Sequence, residues 1–356
     1  MGAKRGLAVA VSVVALAGAG CKSETPRSGT AATATTVKGP AGPQKYSVVV
    51  DGPSTLGAEN LVFGTYFPKT LAARPGDTIV FDNRSSNDIH TVTFGVKSDR
   101  SGQPPPILKT GQVNPAVFKP CFTTEAPRPD MTCPPPTPGP PEFTGTGFWN
   151  SGIILPTSVP ADAGPKQVTV KLAAAIAPGS YTITCLLHAV MESTLQVVAS
   201  DAERLTPPQV ASAADRELGD AKAHAAGIAV PVPPTAAGGA AVSAGWGDKL
   251  VAVNRFAPET VSIKVGQTVT WRDASPFVPH TVSFQPPFHS AEEPNALLPL
   301  GVKPGGSFSG GVAHSGIFGP SPPLPTDTFS LRFTKAGSYP YLCLLHPGMA
   351  GTVQVA

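Results

Sequence analysis

The most constraining feature of this sequence is an internal repeat. Cys185-Leu186-Leu187-His188-Ala189-Val190-Met191 and Cys343-Leu344-Leu345-His346-Pro347-Gly348-Met349 share the form C-x-x-H-x-x-M. Gly179-Ser180-Tyr181 precedes the first, and Gly337-Ser338-Tyr339 precedes the second at the same distance. Upstream, residues 75–81 (PGDTIVF) parallel 265–271 (VGQTVTW), and His90-Thr91-Val92-Thr93-Phe94 parallels His280-Thr281-Val282-Ser283-Phe284. The upstream pieces lie 190 residues apart and the downstream pieces 158, so the first copy carries 32 extra residues between His90 and Cys185. That pattern describes one scaffold used twice, with a long loop inserted in the first copy.

Strand-like apolar runs bounded by Gly and Pro occur at 47–50, 78–81, 167–172, 181–184 and 195–198. The second copy repeats them at 250–254, 261–264, 268–271, 328–333 and 352–355. With 37 Gly and 42 Pro and only 14% charged residues, the chain suits short strands and long loops. One stretch reads as helix, 207–226: Thr206 suits the cap, Pro207 the first turn, and Ala, Glu and Leu the body. It falls between the copies and is expected to be a connector, followed by a flexible segment to about Gly245. Phe81 and Trp271 hold equivalent strand positions and are expected in the cores. The formal charge of +3, without a basic run, gives no nucleic-acid footprint.

The N-terminus reads as an export signal over residues 1–20, with Lys4 and Arg5 before a short apolar stretch. Small residues then lead into Cys21. This resembles a bacterial lipoprotein signal, which implies lipidation of the Cys21 thiol, although Gly18 stands where that family usually has Leu. Residues 21–44 are expected to form a flexible tether. Of the five cysteines, Cys121 and Cys133 lie in a Pro-rich stretch with no His nearby and are expected to pair as a local disulfide.

Cys185 and Cys343 then need an explanation, and their neighbours give one. A type 1 copper site takes a thiolate and two imidazoles in a near-trigonal plane, with a weak axial thioether. Cysteine at a strand end, with His three and Met six residues on, supplies three of these ligands from one loop. A distant strand supplies the fourth, His90 or His280. Both halves resemble cupredoxins, the plastocyanin, amicyanin and azurin family, and the short ligand loop is closest to that of amicyanin. The resemblance implies an all-β chain: two Greek-key cupredoxin-like β-sandwich domains, 45–200 and 247–356, joined by a partly helical linker, 201–246. It implies two copper ions, one held by His90, Cys185, His188 and Met191, the other by His280, Cys343, His346 and Met349. In that family the downstream His presents its ring edge near the surface as the electron port. Thr91 and Thr281 stand where many members have Asn or Ser, and still offer a hydroxyl and an N–H. The differing ligand loops imply centres of different potential.

Electron transfer outside the cytoplasm, with redox partner proteins, is therefore the expected function. Two alternatives compete. Two-domain copper oxidoreductases of nitrite reductase or laccase type need further copper on His ligands and commonly place a His beside the thiolate. Here Cys185 is flanked by Thr184 and Leu186, and Cys343 by Leu342 and Leu344. Seven histidines, four already assigned, leave His224, His289 and His314, none expected to bind copper. Copper storage or delivery predicts Met- or His-rich tracts, which the sequence lacks. No membrane contact is expected beyond a lipid anchor.

Overall fold

The computed structural model describes residues 42–356, apart from 109, 111, 136–138, 232–237, 290–292, 294, 320–323 and 325. The expected export signal, Cys21 and most of the tether lie outside the described residues.

The first half contains β1 (Lys45–Asp51), β2 (Leu61–Phe63), β3 (Thr70–Ala73), β4 (Thr78–Asn83), β5 (Thr93–Phe94), the single-turn helix α1 (Pro115–Phe118), β6 (Cys121–Thr123), β7 (Phe148–Asn150), β8 (Gln167–Lys171), β9 (Gly179–Thr184) and β10 (Glu192–Val197). Helix α2 (Pro207–Ala226) follows. The second half contains β11 (Gly239–Gly247), β12 (Val251–Ala257), β13 (Thr260–Ile263), β14 (Thr268–Ala274), β15 (Ser283–Phe284), β16 (Ser307–Phe308), β17 (Ala313–His314), β18 (Thr328–Phe333), β19 (Gly337–Leu342) and β20 (Ala350–Val355).

The repeat in sequence is a repeat in topology. In the first sandwich, β1-β4-β8 faces β3-β10-β9-β5-β7-β6; in the second, β16-β18-β14-β11-β12-β2 faces β13-β20-β19-β15-β17. β1 runs parallel to β4 as β11 does to β14, and β3 pairs with β10 as β13 does with β20. Register follows the offsets read from sequence: Thr194 lies opposite Thr70, and Thr352 opposite Thr260. Alternation along the strands sends one face inward. β4 and β14 thus bury Ile79 and Phe81, and Val269 and Trp271, in the two cores.

Two features depart from two independent domains on a linker. β2 leaves the first sandwich and extends the second, pairing antiparallel with β12. The supposed connector is also packed. Val210, Ala214, Leu218, Ala221 and Ala225 form one buried stripe on α2, at the spacing that faces a single side. Ala214, Leu218, Ala221 and Ala225 meet Val49, Phe63, Phe67, Trp246 and Val251 in a core shared by both halves. The helix begins as expected: the Thr206 N–H donates to Gln209 Oε1 at 2.9 Å.

The second sandwich begins at Gly239, not at residue 247, which corrects the expected flexible segment. Its small residues (GAAVSAGWG) carry little β-propensity and hide the strand from sequence. Pairing with β12 and β14 on both sides stabilises it instead. Among the described residues no helix is long and apolar enough to cross a membrane.

Because α2 closes a core common to both halves, Leu218→Ala is expected to destabilise the whole chain by about 2–4 kcal/mol. Urea unfolding is expected to stay a single transition with a lower midpoint.

Candidate metal centres

Each sandwich brings its predicted ligands together at one end. β9 delivers Cys185, and the loop that follows is closed by the Cys185 N–H donating to the Met191 carbonyl at 3.1 Å and the Met191 N–H to the His188 carbonyl at 3.1 Å. The second loop repeats this, at 2.9 Å for Cys343 to Met349 and 3.1 Å for Met349 to His346. Each upstream histidine is pinned by a reciprocal bridge to one neighbouring residue. His90 exchanges backbone bonds with Ile154 at 3.1 and 2.7 Å, and His280 with Phe318 at 2.9 and 3.0 Å.

The donor atoms of His90, Cys185 and His188 lie within 4.8 Å of one another, as do those of His280, Cys343 and His346. All six residues are buried. His188 Nδ1 lies 3.5 Å from Cys185 Sγ, and His90 Nδ1 3.9 Å. His346 Nδ1 lies 3.5 Å from Cys343 Sγ. Met191 and Met349 pack in the same buried clusters as the cysteines. Thr91 and Thr281 tie the two ligand segments in each half. Their N–H groups donate to Cys185 Sγ at 3.4 Å and Cys343 Sγ at 3.3 Å. Their hydroxyls accept from the N–H groups of Leu186 at 2.9 Å and Leu344 at 2.8 Å.

The surroundings of the two sets differ. His90 Nε2 meets Asp51 Oδ2 at 3.0 Å, both groups fully buried. The other oxygen, Oδ1, accepts from the Gly52 and Phe63 N–H groups at 2.8 and 3.1 Å. Val48 and Val242 take equivalent places opposite Phe81 and Trp271. Three residues on from each stand Asp51 and Gly245. A side chain at Gly245 would place its Cβ 2.2 Å from His280 Nε2, and the residue has φ +70°. The second centre therefore has no room for the carboxylate, and both ring nitrogens of His280 are buried without a partner.

Charge follows from these neighbours. Burial opposes ionisation of the Cys185 thiol, but His188 and then His90 overcome it and hold it well below its usual range. Burial would also depress His90; the Asp51 carboxylate, aided by Cys185, lifts it to about 9. For His188 the burial penalty is overcome by Asp88 and Cys185, which raise it well above the ordinary value. In the second set burial prevails. It pushes the Cys343 thiol up against the backbone N–H of Thr281. It holds His280 far down, with His346 adding to it, and His346 at about 4 despite Asp88.

The insertion of the first half covers its ligand loop. Cys121 and Cys133 are bridged there. Val96, Val117, Cys121 and Phe148 pack against Leu186. Arg100 donates to the carbonyls of Cys185 and Met191 at 3.0 and 3.3 Å. The remaining histidines belong to neither set, although His289 shares a cavity wall with His188 and His346. His224 pairs with Asp248 at 2.5 Å, and His289 is exposed beside Glu293. His314 binds Ser283 Oγ and the Ala296 carbonyl, each at 2.8 Å.

One expectation drawn from the resemblance is overturned. His188 and His346 are each only 3% exposed, so neither ring edge reaches the outer surface. The ligand loops face the seam between the halves. Val190 packs with Val62, Ala252, Phe277 and Val278, and Asn60 donates to the Pro347 carbonyl at 3.4 Å. Both rings instead line an apolar cavity of about 530 Å³ in that seam, with Ile89, Pro279, Leu187 and Leu345 in its walls. Sequence reasoning also missed Asp51, Asp88, Arg100 and Gly245. Asp88 left a trace, as the only acid in the loop before either upstream His.

Two mixed-strand sandwiches, each holding a cysteine and two imidazoles at one end, define a metal-binding β-sandwich protein. Residues 251–356 match the family of copper binding proteins of plastocyanin/azurin type. A plastocyanin from Scenedesmus fuscus is 31% identical over 102 residues, 28% of this chain and 85% of that protein. The chain belongs to the plastocyanin/azurin family of copper binding proteins. Solved amicyanin structures are also similar. An oxidised variant is 26% identical, covering 34% of this chain and 85% of its own, with TM-score 0.23. A Cu(I) variant is 24% identical, covering 37% and 88%, with TM-score 0.22.

Two substitutions separate the centres. Gly245→Ala is expected to displace His280 and abolish metal binding in the second half alone, read as loss of one metal equivalent by mass spectrometry. Asp51→Asn is expected to raise the reduction potential of the first centre and leave the second unmoved, since a carboxylate on a ligand imidazole stabilises the more positive metal state; spectroelectrochemical titration reads both.

Proposed function

We propose that this chain is an exported tandem cupredoxin carrying two type 1 copper centres, and that it transfers electrons without substrate chemistry of its own. One observation carries the reading: each half independently closes a buried Cys/His/His set. In each, the downstream His turns Nδ1 to the sulfur and a backbone N–H donates to that sulfur. The donors fit copper. A thiolate, two imidazoles and a thioether select it over harder ions, and the two partnerless nitrogens of His280 fit a group that takes one of them. His90, Cys185, His188 and Met191 would hold one ion, and His280, Cys343, His346 and Met349 the other.

Copper bound there would supply a one-electron Cu(I)/Cu(II) couple. The chain's own residues do the rest. A reciprocal backbone bridge fixes the upstream His, the closed loop fixes the other ligands, and the apolar clusters exclude water. Little is then free to rearrange when charge changes, which favours fast outer-sphere exchange. His224 and His314, each hydrogen-bonded elsewhere, lend no support to an additional copper of the oxidoreductase kind. The cavity in the seam, which both rings line, is where a redox partner protein would approach them. The signal-like N-terminus supports a place in the periplasm or on the outer membrane face, anchored by a lipid on Cys21.

Copper-loaded protein is expected to be intensely blue, with about two copper ions per chain and narrow EPR hyperfine splitting. Cys343→Ala is expected to leave one blue centre. Colourless protein, or purely tetragonal copper spectra, would overturn the reading, as would turnover of nitrite or phenols for its non-enzymatic part.

A further inference from the structure

One buried acid stands between the two predicted centres. Asp88 is 4% exposed, and its Oδ2 lies 3.1 Å from His188 Nε2 and 3.7 Å from His346 Nε2. The two imidazoles belong to different sandwiches. Each turns its Nδ1 to its own cysteine at 3.5 Å, so Nε2 is the outer nitrogen of both rings. With Nδ1 committed to a metal, a neutral ring carries its hydrogen on Nε2. A ligating imidazole ordinarily gives that hydrogen to an acceptor of its own. Here both outer nitrogens face the same carboxylate oxygen, His188 at 3.1 Å and His346 at 3.7 Å, and that buried oxygen has no aligned hydrogen bond from any other group.

Asp88 is fixed in this position. Its N–H donates to Ser85 Oγ at 3.2 Å, its carbonyl accepts from Asn83 Nδ2 at 3.0 Å, and its Oδ1 accepts from the Ile89 N–H at 2.8 Å. The fold does not need an acid there. At the offset of 190 residues its counterpart is Val278, buried in an apolar cluster. A buried carboxylate carries a desolvation penalty of several kcal/mol unless its partners compensate it. Its nearest charged or polar neighbours across the seam are the two imidazoles, His188 Nε2 at 3.1 Å and His346 Nε2 at 3.7 Å.

We propose that Asp88 joins the two metal centres, serving the outer nitrogen of a ligand in each and so coupling them electrostatically and electronically. The inference rests on the two-centre reading above. A route from Cys185 through His188, Asp88 and His346 to Cys343 would need only the side chains of these five residues and the copper that each cysteine would hold, across one contact of 3.1 Å and one of 3.7 Å. Exchange along it moves one electron. The centre that gives it is oxidised, the centre that takes it is reduced, and both Nε2 hydrogens stay in place, so no proton or co-reactant is needed. A single carboxylate also stabilises positive charge at both centres, more strongly at the nearer first one.

The test uses the full chain loaded with copper, as wild type, Asp88→Asn and Asp88→Val, the last copying Val278. Copper content and EPR first establish two blue centres in each. Electron exchange is then timed after photochemical reduction of half the copper, and both potentials are titrated. Removing the charge is expected to shift each reduction equilibrium toward the reduced form by at least about tenfold, the effect of a unit charge roughly 12 Å away at an effective dielectric near 20, with a nearer charge acting more strongly. Exchange is expected to slow severalfold in both variants. In diamagnetic Cu(I) protein, the Nε2–H proton resonances of both His188 and His346 are expected to move, which a merely structural role at His188 would not produce. Full copper loading with unchanged exchange and potentials overturns the bridge and leaves the two-centre reading standing. A shift confined to the first centre overturns it too, assigning Asp88 to His188 alone. Wild-type protein with fewer than two blue coppers ends the two-centre reading, and the bridge with it.

Discussion

Everything at the two centres depends on how Thr91 and Thr281 hold two distant segments together. Each threonine follows the upstream histidine. Its N–H reaches the cysteine sulfur and its hydroxyl takes the N–H of the next residue along, Leu186 or Leu344. These contacts link the upstream His strand to the ligand loop, segments 94 and 62 residues apart in the two halves. They set the position of the sulfur relative to the imidazole before any metal arrives. An N–H aimed at a buried sulfur also favours its thiolate form. The same pair of bonds appears in both halves, although the chain between their ends differs by the whole insertion.

Around that common frame the two sets diverge by their carboxylates. The first has Asp51 on His90 and Asp88 on His188, neighbours that favour the charged forms of its imidazoles and, through them, of its thiol. The second has Gly245 and Val278 in those places, and burial there favours the neutral forms of its thiol and imidazoles. Burial alone explains the neutral set; burial overcome by paired acids explains the charged one. The fold is thus duplicated while the electrostatics are not.

Much of this was legible in the sequence. The repeat offsets gave the strand register itself, because residues at matched offsets must occupy matched places in a shared scaffold. The ligand spacing gave the six residues that meet, because a cysteine at a strand end and a His three on can only share one loop. Helix α2 was legible from Thr206, Pro207 and its composition. What stayed hidden has a common cause. β11 is built of small residues and is a strand only because its neighbours pair with it. β2 is three residues long and takes its identity from β12. Asp51, Asp88 and Gly245 act across the seam or across a sheet, and no local pattern marks a contact between residues so far apart in the chain. The burial of His188 and His346 could not be read because it belongs to the packing of one half on the other.

The placement of β2 bears on how the chain becomes folded at all. It is made early, among the strands of the first sandwich, yet its hydrogen-bonding partner β12 follows only after the rest of that sandwich and α2 have been made. Until then its backbone groups lack their sheet, and three buried apolar residues await a surface. Such a long-range pairing is entropically late. The first sandwich can collapse around its own core, but the seam closes last. A nascent chain therefore passes through a stage with an open, sticky edge at the very place where the two ligand loops will meet.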